Sequence, residues 1–163
     1  HDLLIKAMEL ARQNQLKISL DLASYNVVEE NHDFLIHIVN EYVDILFANE
    51  DEAKAFTGLL PQDALDKMAQ GCDVAVVKMG KLGSWIKSSD AVIPIQPNRV
   101  DIRDTTGAGD LYAAGFLYGI VNRFPLERCG QIASYLASRV IETEGAKIPE
   151  NKWKEIRKNV EGI

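Results

Sequence analysis

Seven consecutive residues, Asp104-Thr105-Thr106-Gly107-Ala108-Gly109-Asp110, stand immediately before a long apolar run at 111–121. A glycine-rich turn that feeds a helix leaves up to about four backbone N–H groups unpaired at the helix start. With the helix dipole behind them, those donors make an anion site. Glycine at Gly107 and Gly109 lets the backbone approach a phosphate with no Cβ in the way. Asp110 falls within the first turn, where a carboxylate can take the proton of a hydroxyl attacking a phosphoryl group. One heptapeptide could thus supply both a base and an anion hole.

Other glycine motifs fit less well. The dinucleotide fingerprint would need a third glycine where Tyr112 stands, and Gly80-Lys81 is followed by Leu82 rather than by the Ser or Thr of a phosphate-binding P-loop. A purely structural reading stays open: Thr and Asp could cap a helix whose Ala113, Ala114, Gly115 and Gly119 ease close packing.

The elements that must position these residues follow from apolar spacing. The spacing predicts helices over 1–15, 30–41, 62–71, 107–121, 126–143 and 150–160, with a charged helix start at Glu50-Asp51-Glu52. Strands are expected over 16–22, 42–49 and 74–79, and a hairpin over 84–87 and 91–95 with Ser88-Ser89-Asp90 as its turn. The run Val74-Ala75-Val76-Val77 is apolar throughout, as in a strand buried on both faces of a parallel sheet. Strands alternating with helices give an α/β three-layer sandwich, whose ligands sit at the carboxyl ends of the strands. Asp21, Asn49, Lys78 and Gly80 all fall there.

Composition narrows the class. The 163 residues are 47% hydrophobic and 26% charged, with a net charge of −6, which suits a single soluble domain and argues against a broad nucleic-acid surface. Cys72 and Cys129 form no CxxC pair and no zinc spacing. A cytoplasmic protein without a membrane span is expected. The chain opens at His1 directly into a helical pattern, so a piece of a longer protein is expected.

The complete Asp104–Asp110 heptapeptide, with the Ala/Gly-rich helix after it, resembles the DTxGAGD signature of the PfkB/ribokinase family of carbohydrate and nucleoside kinases. The resemblance implies that Gly107, Ala108 and Gly109 form the anion hole and that Asp110 is the catalytic base. Asn49-Glu50-Asp51-Glu52 is similar to the NxxE motif, which implies that Asn49 lies near the nucleotide phosphates and that Glu52 organises Mg2+ indirectly. A Glu at a helix start is also common on capping grounds alone. Lys78-Met79-Gly80-Lys81-Leu82-Gly83 resembles the T-x-G-x-x-G turn that lines ATP, with Lys78 in place of the usual Thr and with Gly80 and Gly83 kept. By the same resemblance, Ser134 on the helix bordering the adenine stands where relatives often carry Asn, and Asp104, Thr106, Val140, Thr143 and Gly145 surround a site for a monovalent cation such as K+.

The resemblance covers nearly the whole chain but only the latter, nucleotide-binding half of a family member, without the lid and most sugar contacts. It implies a ribokinase-like α/β/α sandwich and ATP- and Mg2+-dependent transfer to an alcohol group of a sugar or related small molecule. A homodimer is expected for the full-length protein, and no nucleic-acid or membrane partner. The stretch Asp21-Leu22-Ala23-Ser24-Tyr25 lacks the Asn and Arg of a sugar-kinase Asp-x-Asn-x-Arg motif, which leaves an adenosine-kinase-like branch as the alternative. A non-catalytic nucleotide-binding module is the reading from another class.

Overall fold

A computed structural model describes all 163 residues. The chain forms two compact units, His1–Met79 with Trp85–Val92, and Gly80–Ser84 with Ile93–Ile163.

The first unit carries most of a five-stranded sheet of order β1-β2-β3-β4-β5. Its strands are β1 (Ser19–Asp21), β2 (Ile45–Asn49), β3 (Val74–Lys78), β4 (Ser84–Ser88) and β5 (Ala91–Ile95). β1 pairs with β2 in parallel, Asp21 opposite Phe47, and β2 pairs with β3 in parallel, Asn49 opposite Lys78. Five helices belong to this unit: α1 (Asp2–Gln13), α2 (Tyr25–Glu30), α3 (His32–Tyr42), α4 (Glu50–Thr57) and α5 (Pro61–Met68). They bury one face of the sheet, with Leu46, Ala48, Ala75 and Val77 packed among Val28, Ile38, Val39, Phe56, Leu65 and Met68. Phe47 and Val76, whose side chains alternate to the opposite face, are buried as well. That double burial accounts for the unbroken apolar run at 74–77.

Three expected boundaries differ. The strand expected over 16–22 is regular only at Ser19–Asp21. Its entry is held instead by a side chain: the Asp44 carboxylate accepts from the Ile18 N–H at 2.7 Å and from Lys17 Nζ at 2.8 Å. The neighbouring strand starts at Ile45 rather than at residue 42, because Tyr42 completes α3. The helix expected over 30–41 is α3, which starts at His32, and a separate short helix that was not expected, α2, precedes it and ends at the Asn31 cap. The Asn31 N–H and Nδ2 both donate to the Val27 carbonyl and close α2, while its own carbonyl accepts from Leu35 N–H in α3.

The second unit is helical: α6 (Ala108–Val121), α7 (Leu126–Ile141) and α8 (Trp153–Gly162). Four residues join α6 to α7, which forces an antiparallel pair. Gly115 lies against Ala133 and Gly119 against Cys129; a Cβ built on either would come within 2.9 Å of the facing Cα. The helices approach this closely because those positions carry no side chain. Ile132, Leu136 and Val140 on α7 then close a core with Ile148, Ile156 and Val160.

Candidate active site

In the second unit, the turn before α6 is set by its backbone. Gly107 is the residue before the first helical turn, at φ +80°, the left-handed region that favours glycine, and a Cβ there would meet the Ala146 Cβ at 2.9 Å. Ala108 N–H closes the turn onto the Thr105 carbonyl at 3.2 Å, and Leu111 N–H takes the Gly107 carbonyl at 2.9 Å. Gly109 and Asp110 N–H, between these two, have no backbone acceptor, so two donors point out of the helix start beside the exposed Asp110 carboxylate.

Asp104 anchors the turn. Its Oδ1 accepts from Thr106 N–H at 2.9 Å and from the Thr106 hydroxyl at 2.7 Å, and its Oδ2 accepts from Gly145 N–H at 2.8 Å. The Thr106 hydroxyl above all, then the two N–H groups, hold this carboxyl below the usual carboxylate range. Asp104, Thr106 and Gly145 are therefore brought together. Val140 and Thr143 are tied to each other, the Thr143 N–H and hydroxyl both donating to the Val140 carbonyl, at 2.9 and 2.7 Å.

Three further expected residues, Gly80, Gly83 and Ser134, lie in this unit. The turn Gly80–Leu82 is a 3₁₀ turn in which Gly83 N–H donates to the Gly80 carbonyl at 3.1 Å. Gly83, at φ +91°, lies so close to the Ile95 carbonyl that no side chain fits. Ser134 is buried; its hydroxyl donates to the Gln96 carbonyl and accepts from Asn98 Nδ2, both at 3.1 Å, so it fixes the 96–98 loop onto α7. Sequence reasoning missed Tyr112. Its buried hydroxyl shares a 2.6 Å hydrogen bond with Ser84 Oγ, which ties the residue after the glycine turn to the helix that bears Asp110. Burial pushes the Tyr112 phenol up to about 12 against the opposing Ser84 bond.

In the first unit, Asn49 and Glu52 make a reciprocal cap at the start of α4. The Asn49 Oδ1 accepts from Glu52 N–H at 2.8 Å, while the Glu52 oxygens accept from Asn49 N–H and Nδ2, each at 2.7 Å. Glu52 is only 4% exposed, and burial pushes its carboxyl above the usual range, opposed by the Asn49 N–H and then by Lys78. Lys78 sits at the end of β3 and reaches across β2 to Asp21 at the end of β1, Nζ to Oδ2 at 2.6 Å. The other Asp21 oxygen accepts from Ala23 N–H at 3.1 Å.

These arrangements suit some ligand groups better than others. The start of α6, with its two outward donors and a glycine that no Cβ could replace, fits an anionic group such as a phosphate. At the strand ends of the first unit every carboxylate oxygen of Asp21 and Glu52 already accepts a bond, which fits an indirect rather than a ligating role toward a divalent cation. No helix is long and apolar enough to cross a membrane.

Comparison with known proteins identifies the family and the fold. The family model described as pfkB family carbohydrate kinase matches residues 1–153. A nucleoside kinase of Methanocaldococcus jannaschii is 31% identical over 158 residues, covering 96% of this chain and 51% of that protein. The crystal structure of a nucleoside kinase from that organism, described as an archaeal member of the ribokinase family, matches with a TM-score of 0.76 over 91% of this chain and 49% of the other. A probable sugar kinase from Rhizobium etli CFN 42 matches with a TM-score of 0.90 at 30% identity, over 97% of this chain and 48% of that one. The adenosine kinase of Sinorhizobium meliloti matches with a TM-score of 0.89 at 28% identity, over 94% and 48%. The chain thus has the expected ribokinase-like α/β fold and spans about half the length of these proteins.

Proposed function

The chain belongs to the pfkB family of carbohydrate kinases, and on that premise we propose that its protein is an ATP-dependent kinase of an alcohol group on a sugar or related small molecule. The observation that carries this reading is the start of α6, where the exposed Asp110 carboxylate stands beside the outward-pointing N–H groups of Gly109 and Asp110. Asp110 accepts the proton of the attacking hydroxyl. The turn Gly107-Ala108-Gly109 sets up the helix start, whose Gly109 and Asp110 N–H groups face the negative oxygens of the group in transfer, where such donors act most strongly. When bound, ATP supplies the phosphoryl group and Mg2+ screens its oxygens.

The remaining residues serve placement. Gly80 and Gly83 line the nucleotide with backbone, and Ser134 keeps the 96–98 loop on the helix that borders the adenine. Asn49 and Glu52 act as one capped unit, and the full use of both Glu52 oxygens supports an indirect part for it beside Mg2+. A K+ site at Asp104, Thr106, Val140, Thr143 and Gly145 is supported by the way the Asp104 carboxylate gathers the two segments that carry Thr106 and Gly145. The cytoplasm is the proposed compartment.

A nucleoside is the second reading of the acceptor. It is favoured by the 31% identity to a nucleoside kinase over 96% of this chain and by the missing Asn and Arg after Asp21. A coupled ADP-release assay on the full-length protein, with ATP and Mg2+, with and without K+, across pentoses, hexoses and nucleosides, separates the two. Turnover on one class is expected. Silence across the panel with ATP binding intact would replace the kinase by a nucleotide-binding module.

A further inference from the structure

Helix α6 carries no charged side chain from Leu111 to its end at Val121, so beyond its first turn it is apolar nearly all round. Such a helix has no single wet face, and its apolar pattern alone does not fix its rotation about its axis. Gly115 and Gly119 locate its far half against α7. Nearer Asp110 the directional contact is polar. The Tyr112 hydroxyl and Ser84 Oγ share a 2.6 Å hydrogen bond, the two residues are only 5% and 1% exposed, and neither hydroxyl has another hydrogen-bond partner. Tyr112 follows Asp110 by two residues, about 200° round the helix, so the bond holds the face turned away from the carboxylate. Its other end is rigid. Ser84 follows Gly83, whose N–H is tied to the Gly80 carbonyl at 3.1 Å and whose α-carbon faces the Ile95 carbonyl with no room for a side chain. Two buried hydroxyls that satisfy only each other add little stability, since an apolar pair of the same shape would be nearly neutral. What this bond supplies is direction.

We infer that Tyr112, held by Ser84, is a positioning residue: the buried hydroxyl pair sets the rotation of α6 and so the aim of Asp110 and of the Gly109 and Asp110 N–H groups. The inference rests on the kinase reading and adds to it a residue that acts through Asp110 rather than on the substrate. A base turned slightly out of line loses much of its rate, whereas ATP lined by backbone is held as before.

The test combines steady-state kinetics with thermal melts on the full-length protein, using the acceptor that turns over in the panel of pentoses, hexoses and nucleosides. The variants are Tyr112→Phe, Ser84→Ala and the two together. Each single change leaves one buried hydroxyl without a partner, so both are expected to melt below wild type. In both, kcat is expected to fall about tenfold while KM for ATP stays within about twofold. The double variant leaves no orphaned hydroxyl. It is expected to recover much of the melting temperature and none of the kcat, a split that a purely structural pair would not show. A kcat near wild type in a folded single variant overturns the inference. So does a kcat that recovers with the melt in the double variant, and so does a loss confined to KM. Should Tyr112→Phe fail to fold, Ser84→Ala beside the double variant carries the same test. Wild-type protein without turnover on any acceptor overturns the kinase reading and the inference together, a failure visible before any variant is made.

Discussion

Glu52 and Asp110 occupy the same place in two helices, the third residue of α4 and of α6. Both carboxylates sit where the helix dipole favours an acid, yet they end in opposite conditions. Glu52 is buried, and both its oxygens are spent on Asn49. Asp110 is exposed and makes no side-chain hydrogen bond or ion pair within the protein. The difference lies three residues upstream. Asn49 offers an amide that reaches back and forward, closing a reciprocal cap, whereas Gly107 has no side chain to offer. The residue before the helix therefore decides whether an acid in the first turn becomes structure or stays available for chemistry.

The largest effect should come from the available acid. Asp110→Asn is expected to lower kcat by about a thousandfold, the usual weight of a positioned base, while ATP affinity and melting temperature stay near wild type. Near-normal turnover would break the comparison at its functional end. Asn49→Ala attacks the other end. Losing the cap is expected to cost about 1–2 kcal/mol in urea unfolding, because the mutation removes the acceptor of the Glu52 N–H and leaves the buried Glu52 carboxylate with only the Asn49 backbone N–H. An unchanged unfolding midpoint would mean that the cap carries no weight.

The smallest effect is a pH dependence. Burial raises the folded-state pKa of Glu52 above that of the unfolded chain, so on raising the pH the unfolded chain loses this proton first. The contribution of Glu52 to stability is then greatest at low pH and declines as the pH climbs through the ordinary carboxylate range to the folded value. Glu52→Gln cannot titrate. Wild-type stability relative to Glu52→Gln should thus fall as the pH rises through the ordinary carboxylate range and beyond it to the folded-state value, read from paired denaturant curves. A difference that grows with pH would show that hydrogen bonding to Asn49 outweighs burial.

Much of this was legible before any coordinates. The 74–77 run announced a strand buried on both faces, and the heptapeptide announced a helix start with loose donors, because both signals are local. The chain did not reveal which acid of a helix start would be consumed, since that depends on a side chain three residues earlier and on burial. Nor did it reveal the Lys78–Asp21 bridge or the Tyr112–Ser84 bond, whose partners lie 57 and 28 residues apart. The boundaries missed at Ile18 and Asn31 share a reason: there side chains make hydrogen bonds to the backbone, Asp44 to the Ile18 N–H and Asn31 Nδ2 to the Val27 carbonyl, that an apolar pattern does not encode.

The bare faces of Gly115 and Gly119 bear on the order of assembly. They press α6 onto α7 through Ala133 and Cys129, partners only 18 and 10 residues away in the chain. Such a hairpin closes a short loop, whereas pairing β1 with β2 joins residues 26 apart through two intervening helices. The helix that presents Asp110 is thus a local folding unit, able to settle onto its neighbour before the parallel strands find their register.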